Sequence, residues 1–463
     1  MFSGYHYINE NEPTKMIKIF LSQKEGICLI AGQTFATLWQ QITGKKLPLI
    51  TEDDGKSDLI ILGSDALNRF VHDKIMEHEV NQFDIRMDSD DYQLISKSDH
   101  KRTLLFIAAG RTRALFYAIY HFFELRAGCR YFWDGDLIPK ADSIDIADLN
   151  ILEKPHFEYR GLRYFAHRSL HRFQAEHWDF EDWQKEIDWI LKKRFNLFML
   201  RIGLDDLFQK AFPEIVSYPD YEVAEAKERS SDDRTLFWPL PCRGELRRKV
   251  LAYARERDLL HPEDLGTMTH WYSRTPHEYL DKIKPDFLPQ ATAGYGDKTG
   301  LVWDIRQEKN LDAYFHLTET HIREYGSPTM FHTIGLAERR CFDDRDSNHQ
   351  MKLYTYRRII AKLREKYPHA PLLIASWDFC MYWEPEEVRD LVKELNPNNT
   401  LIFDYTSETD DELRTFQNWD LVGKFPWIFG LFHAYEPNTE LRGNYDVIAR
   451  RLPIAAADPM CKG

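Results

Sequence analysis

No part of the 463 residues approaches 18 consecutive apolar positions, so no stretch reads as a membrane-spanning helix. The opening MFSGYHYINENEPTKMIKIF has no apolar segment behind a basic start, and a classical secretory leader is not expected. Long Lys/Arg runs are missing too. With 74 acidic against 61 basic residues the formal net charge is -13, and without a concentrated basic face the chain has no electrostatic footprint for nucleic acid. Cysteine is sparse: Cys28, Cys129, Cys242, Cys341, Cys380 and Cys461 have no paired spacing, which argues against a disulfide framework and a zinc site. A reducing, cytoplasmic setting is therefore expected. A glycine-rich phosphate loop and a Cys/His cluster are likewise lacking, so neither a nucleotide, a redox cofactor nor a metal is expected. The acidic Asp343-Asp-Arg-Asp346 lacks the glycine and terminal Glu of a calcium loop and reads as a solvated turn.

What the chain does have is the composition of a globular protein, 43% hydrophobic and 29% charged, with an aromatic share of 14% that suits both core packing and stacking on sugar rings. Residues 1 to 150 read as a small α/β domain. Leu59–Ser64 is a short buried strand, Asp91–Ile95 and Thr103–Ile107 pair as strands, and Arg113–Leu125 changes to helical spacing before Gly128 stops it. Ile144–Pro155 reads as a linker into a second domain, 151–463.

In that second domain eight strand-like runs alternate with helical pattern: Arg160–Phe165, Asn196–Ile202, Asp264–Thr269, Thr329–Ile334, Pro371–Trp377, Thr400–Asp404, Pro426–Phe432 and Leu452–Ala457. Between them, Trp183, Ile187, Ile190 and Leu191 share one helical face, as do Val388, Leu391, Val392 and Leu395 behind the acidic start Glu384-Pro-Glu-Glu387. Eight strands with helical crossovers predict a (β/α)8 TIM barrel, preceded by the small α/β domain. The charged segment Ser217–Trp238 is expected to leave the barrel on its active-site face.

In such a barrel the C-terminal strand ends open onto the active site, and a carboxylate is costly to place there unless it is used. Glu338 and Glu408 both follow strands, two strands apart on one rim. Cleaving a glycosidic bond takes one carboxylic acid to protonate the leaving oxygen and one carboxylate to attack the anomeric carbon or activate water. Other strand ends supply groups suited to a sugar pocket: His167 and Arg168, Asp205 and Asp206, His270 and Trp271, Trp377 and Asp378, Asp404, and His433 with Tyr435 and Glu436. Each alone is as well explained as a structural rim residue; their convergence on one face gives the reading its weight. The expected partner is an oligosaccharide or glycoconjugate.

Three ordered blocks carry a family resemblance. Trp178–Asp206 (WDFEDWQKEIDWILKKRFNLFMLRIGLDD), Ala375–Val388 (ASWDFCMYWEPEEV) and Pro426–Asp446 (PWIFGLFHAYEPNTELRGNYD) together resemble the α-N-acetylglucosaminidases of glycoside hydrolase family 89. The resemblance implies a small α/β domain before a (β/α)8 barrel, and a following helical domain that this chain does not include. It implies a retaining exo-glycosidase in which Glu338 is the general acid and Glu408 the nucleophile, about 5 to 5.5 Å apart. Asp404 would support the nucleophile, and Trp377, Trp427 and His433 would line the pocket. The chain departs from the family pattern at Ala337, where an Asn precedes the acid, and at His167 and His177. Arg163, Arg168, Arg339 and Arg340 add cations near the rim. An α-glucuronidase-like hydrolase, which needs cations for a carboxylated sugar, is the alternative enzyme reading. A catalytically lapsed carbohydrate-binding homologue is the alternative outside enzymes.

Overall fold

The computed structural model describes residues 16–63, 84–165, 178–201, 206–217, 240–265, 275–289, 300–326, 328–336, 340–410, 413–432 and 444–463. The chain divides into two compact units. One runs to Pro155 and takes in Asp188–Arg194 and Glu256–Asp258; the other comprises the rest.

In the first unit the order is β1 (Ile17–Leu21), α1 (Gly26–Thr43), β2 (Leu49–Ile50), β3 (Asp58–Gly63), β4 (Tyr92–Asp99), β5 (Arg102–Ala109), α2 (Thr112–Arg126), β6 (Arg130–Phe132), β7 (Gly135–Leu137) and β8 (Asn150–Glu153). Six strands form one sheet in the order β2-β1-β3-β5-β4-β8. Strands β1, β2, β3 and β5 are parallel, while β4 runs antiparallel to both β5 and β8. Helix α2 forms where the aromatic run changes period, and its Phe122 and Phe123 meet Phe35 of α1 at ring distances of 5.3 and 4.8 Å. The stretch expected to be a linker holds β8, whose Asn150–Glu153 continue the sheet against Tyr92–Ile95. At the sheet edge Asn-Ile-Leu-Glu is largely exposed and carries no apolar alternation, which is why it reads as a connection.

The second unit is the barrel. Its elements are β9 (Gly161–Phe165), α3 (Phe180–Lys192, of which the residues from Asp188 on group with the first unit), β10 (Leu197–Arg201), α4 (Leu207–Ala211), α5 (Leu240–Arg255), β11 (Pro262–Asp264), α6 (His277–Ile283), α7 (Glu308–Tyr325), β12 (Met330–Thr333), α8 (Arg345–Lys366), β13 (Leu372–Ala375), α9 (Phe379–Tyr382), α10 (Pro385–Glu394), β14 (Thr400–Asp404), β15 (Trp427–Phe429) and α11 (Tyr445–Ala457). The acidic turn before α8 is its cap: the Asp344 carboxylate accepts from the Ser347 N–H at 2.8 Å. Pro385 opens α10, and the Glu387 carboxylate accepts from the Glu384 N–H at 2.9 Å, so this acidic start is a cap as well.

A parallel ladder runs around the ring. β9 pairs with β10, and β11 through β15 form a five-stranded sheet in chain order. Between β10 and β11 the Phe198 N–H donates to Leu260 O at 2.8 Å, and the Leu260 N–H to Asn196 O at 2.9 Å. On the other side of β15, the Trp427 N–H donates to Met460 O at 3.1 Å and the Phe429 N–H to Gly463 O at 2.8 Å. The Tyr159 N–H, just ahead of β9, then donates to Lys462 O at 2.7 Å. Met460–Gly463 therefore occupies the eighth strand position. The run Leu452–Ala457, expected to be that strand, belongs instead to α11. That expectation took an apolar run to be a buried one, whereas Leu452 and Ile454 are 41% and 37% exposed. The third strand is shorter than expected, Pro262–Asp264, and residues 266–269 of the expected strand, like most of 217–238, lie outside the described residues.

Side chains alternate across this ladder. Leu197, Met199, Met330, Leu373, Leu401 and Ile428 form one cluster inside the barrel, with Phe403 packed against it. Their neighbours Phe331, Leu372, Ile374, Ile402 and Trp427 turn outward into the larger core shared with the helices. At the start of β9 the backbones of two strands come very close: a Cβ on Gly161 would lie 2.3 Å from Leu197 O. Gly161→Ala is expected to lower stability by about 1–3 kcal/mol, read as an earlier denaturant midpoint, because backbone rather than a flexible side chain would have to move. An unchanged midpoint would contradict this reading of the β9–β10 contact.

Candidate active site

Strand β14 delivers the chain to the C-terminal face of the barrel and stops at Asp404. The side chains that follow obey the same alternation. Phe403 faces inward, Asp404 outward, and Tyr405 inward again. Asp404 is fully buried, with its carboxylate surrounded by donors: Ser376 Oγ at 3.2 Å, the Thr406 N–H at 3.1 Å, Thr406 Oγ1 at 3.4 Å, Ser407 Oγ at 2.9 Å and the Phe416 N–H at 2.9 Å. Burial raises its pKa above the ordinary carboxylate range, and the donors recover part of that shift.

These contacts shape the turn 404–409, which carries Glu408. The Ser407 N–H donates to Gly430 O at 3.1 Å, and a Cβ on Gly430 would lie 2.2 Å from Asp404 O, so only glycine allows the loop after β15 to approach this closely. Arg451 of α11 donates to the carbonyls of Ser407 and Thr409. Glu408 is buried, and its Oε1 accepts from the Phe432 N–H. The Phe432 ring lies 5.2 Å from the ring of Trp377, which is half-buried just beyond β13. A carboxylate held by a backbone N–H, with the aromatic pair Phe432 and Trp377 next to it in the chain of contacts, is a combination that suits a sugar site.

Beside Glu408 the inward positions of four strands form a polar line. His332 of β12 pairs in register with Asp264 of β11, and its Nδ1 lies 2.9 Å from Asp264 Oδ1. Its Nε2 lies 2.6 Å from the Tyr405 hydroxyl. The guanidinium of Arg163, inward on β9, sits 4.6 Å above the Tyr405 ring, and the Phe432 ring lies nearly parallel to it at 6.4 Å. The adjacent acid Glu263 turns the other way and pairs with His321 of α7.

Of the residues expected from the sequence, the described structure brings Glu408 and Trp377 to one place. Asp404, expected to touch substrate, faces outward and is fully enclosed by donors, so its part is to hold the Glu408 turn. Trp427, expected as a pocket wall, is buried on the outer face of β15, where its ring stacks on Phe416 at 4.3 Å and its Nε1 donates to Asp458 at 2.8 Å. Asp206 is buried as well, accepting from the Tyr325 hydroxyl at 3.0 and 3.1 Å and lying 3.5 Å from Lys210 Nζ, so it too is structural rather than sugar-facing. Asp378 is fully buried and accepts from Trp383 Nε1 at 3.1 Å. Glu338, His167, Asp205, His270 and His433 lie outside the described residues. The reading from sequence passed over Asp264, His332, Tyr405 and Phe432. Counting by two from Met330 to His332 and from Phe403 to Tyr405 finds two of them. Among the described residues no group of three or more His, Cys, Asp or Glu could hold a metal ion, and no helix is long and apolar enough to cross a membrane.

Residues 307–462 match the family model described as the alpha-N-acetylglucosaminidase (NAGLU) tim-barrel domain. No curated protein sequence matches the chain. Among solved structures, the chain is similar to a family 89 glycoside hydrolase from Clostridium perfringens in complex with PUGNAc, with a TM-score of 0.57 and 14% identity over 88% of this chain and 42% of that one. A form of the Clostridium perfringens family 89 enzyme with two glutamates replaced by glutamine, in complex with its substrate GlcNAc-alpha-1,4-galactose, aligns with a TM-score of 0.51 and 13% identity over 75% of this chain and 39% of that one. A family GH115 4-O-methyl-alpha-glucuronidase, BtGH115A, with specificity for decorated arabinogalactans, aligns with a TM-score of 0.54 and 11% identity over 95% of this chain and 53% of that one. This chain thus spans less than two thirds of each of these structures, and at these identities the likeness shows a shared fold. The match to the family model and the fold shared with the family 89 structures agree with the resemblance read from the sequence.

The reassigned residues can be tested by stability. Because Asp404 binds its proton more tightly in the folded than in the unfolded state, its contribution to stability is full below the ordinary aspartate pKa and is lost as pH rises through its raised folded value. The stability of wild type relative to Asp404→Asn is therefore expected to fall as denaturant unfolding is moved from acid toward neutral pH; a difference that grows with pH would contradict it. Trp427→Phe, which removes the bond to Asp458, is expected to cost about 1–2 kcal/mol of stability while leaving sugar affinity in calorimetry unchanged.

Proposed function

We propose, for a chain whose residues 307–462 match the NAGLU tim-barrel domain, that it is a retaining exo-acting glycoside hydrolase that cleaves terminal α-linked sugars, with N-acetylglucosamine the first candidate. The observation that carries this reading is the Glu408 carboxylate, buried at the mouth of the barrel on the turn after β14 and held by the Phe432 N–H beside Trp377. In the proposed reaction Glu408 attacks the anomeric carbon while the glycosidic C–O bond breaks and Glu338 gives its proton to the leaving oxygen. Glu338, now a carboxylate, takes a proton from water, whose oxygen attacks the anomeric carbon and releases Glu408. Two glutamates are replaced in the Clostridium perfringens form that is in complex with its substrate GlcNAc-alpha-1,4-galactose, which supports a two-carboxylate chemistry and an α-linked N-acetylglucosaminide here. The six cysteines without paired spacing support a reducing, cytoplasmic setting.

A second reading takes its support from Arg163. This half-buried residue faces inward with its guanidinium over Tyr405, where it could meet the carboxylate of a uronic acid, and a 4-O-methyl-alpha-glucuronidase is among the similar folds.

A panel of nitrophenyl α- and β-glycosides, including an α-glucuronide, separates these readings. Glu408→Gln and Glu338→Gln are each expected to lower kcat/KM by at least about 1,000-fold on the preferred α-glycoside. Activity unchanged in both variants would overturn the assignment. Under the uronide reading, Arg163→Ala abolishes the α-glucuronide preference selectively; an equal loss on neutral sugars counts against it. Sugar binding by the wild type without turnover of any glycoside would identify a lapsed, binding-only protein.

A further inference from the structure

Three inward groups beside Glu408 stand in a single hydrogen-bonded line that the two-carboxylate reaction does not use: Asp264 on β11, His332 on β12 and Tyr405 beyond β14. All three are buried, His332 at 1% and Tyr405 at 3% exposure. With Asp264 ionised its carboxylate accepts only, and the 2.9 Å contact to Asp264 Oδ1 then calls for the His332 proton on Nδ1. That leaves the Nε2 lone pair to accept from the Tyr405 hydroxyl at 2.6 Å. The two ring planes are 10° apart, which lays the phenol end-on to the imidazole, in the direction of that lone pair.

One of the ring contacts of Tyr405, that with Phe432, leads toward Glu408. Phe403 meets its ring edge-on at 4.5 Å, Arg163 covers it at 4.6 Å, and the Phe432 ring runs nearly parallel to it. Phe432 in turn supplies the N–H that holds Glu408 Oε1 and the ring that meets Trp377. A phenol whose proton is committed to a histidine also carries more electron density in its ring, which strengthens the attraction for the guanidinium above it.

We propose that Asp264 and His332 are positioning residues: by fixing the His332 tautomer they lock the Tyr405 ring, and through it the Phe432 loop that aims Glu408. The inference rests on Glu408 being the reacting carboxylate, but its first test does not. In protein labelled with 15N histidine, the His332 resonance, assigned by its loss in His332→Gln, is expected to report the Nδ1–H tautomer. Asp264→Asn, whose amide can donate to Nδ1, is expected to move the proton to Nε2. An Nε2–H tautomer in the wild type would overturn the proposal whatever the enzyme's activity.

Kinetics on the preferred nitrophenyl α-glycoside supply the second test. Tyr405→Phe keeps the ring and loses the hydroxyl. It and Asp264→Asn are each expected to lower kcat by roughly 10- to 100-fold with KM little changed, since a misaimed carboxylate slows the chemistry more than the binding. The double variant is expected to be no slower than the slower single, because both break one line of contacts. Effects that multiply, or a raised KM with kcat intact, would overturn it. Glu408→Gln measured beside them keeps the two claims apart: if that variant retains activity, the nucleophile assignment fails, while the tautomer result still decides the chain of bonds.

Discussion

A carboxylate buried on the outer side of the sixth barrel strand holds the candidate site together. Asp404 gathers three hydroxyls and two backbone N–H groups, and the turn that follows wraps around it. Without a charged or strongly polar acceptor at this point, several donors would be buried with nothing to meet, each at a cost of about 1–3 kcal/mol. The turn is further tied to the seventh strand's loop through Gly430 and to α11 through Arg451. Glu408 therefore projects from a turn fixed by bonds on three sides. The role proposed for Glu408, that of nucleophile, requires such support, since small errors in the direction of attack cost large factors in rate.

The two-residue period of the strands divides the labour around it. Outward positions at the C-terminal ends go to packing and polar support: Asp404, Trp427 and, with its buried indole partner, Asp378. Inward positions face the barrel mouth, and there the polar residues Arg163, Asp264, His332 and Tyr405 replace the Leu, Met and Ile of the layers beneath. Polar side chains in the interior of a barrel are costly unless bonded to one another or to a ligand; Asp264, His332 and Tyr405 are hydrogen-bonded in a line, and Arg163 lies over the Tyr405 ring.

Most of the barrel could be read from the sequence because strands buried on both faces are written as short apolar runs between amphipathic helices. Thr400–Asp404 was expected with the bounds it has, and the inward-facing stripe of α3 was evident from Trp183, Ile187, Ile190 and Leu191. The eighth strand was not, because Met460–Gly463 is held by backbone bonds to Trp427, Phe429 and Tyr159 and needs no apolar pattern of its own. Conversely, Leu452–Ala457 has the composition of a buried strand but lies in a helix with much of its apolar surface exposed. In the site, proximity to a strand end proved a weaker guide than parity along the strand. It drew in Asp404, whose side chain lies on the outer face. The Asp264–His332–Tyr405 line was hidden because its members are about 70 residues apart, and only the register of β11 on β12 brings the first two together.

The central claim is that Glu408 forms the bond to the sugar. Incubation with a fluorinated glycoside of the preferred sugar, built with a good leaving group so that the glycosyl-enzyme accumulates, followed by proteolysis and mass spectrometry, addresses it directly. The account predicts one sugar-sized mass increment on the peptide containing Glu408, absent in Glu408→Gln. A label on another carboxylate, or steady turnover of the ordinary substrate with inversion at the anomeric carbon, would contradict it.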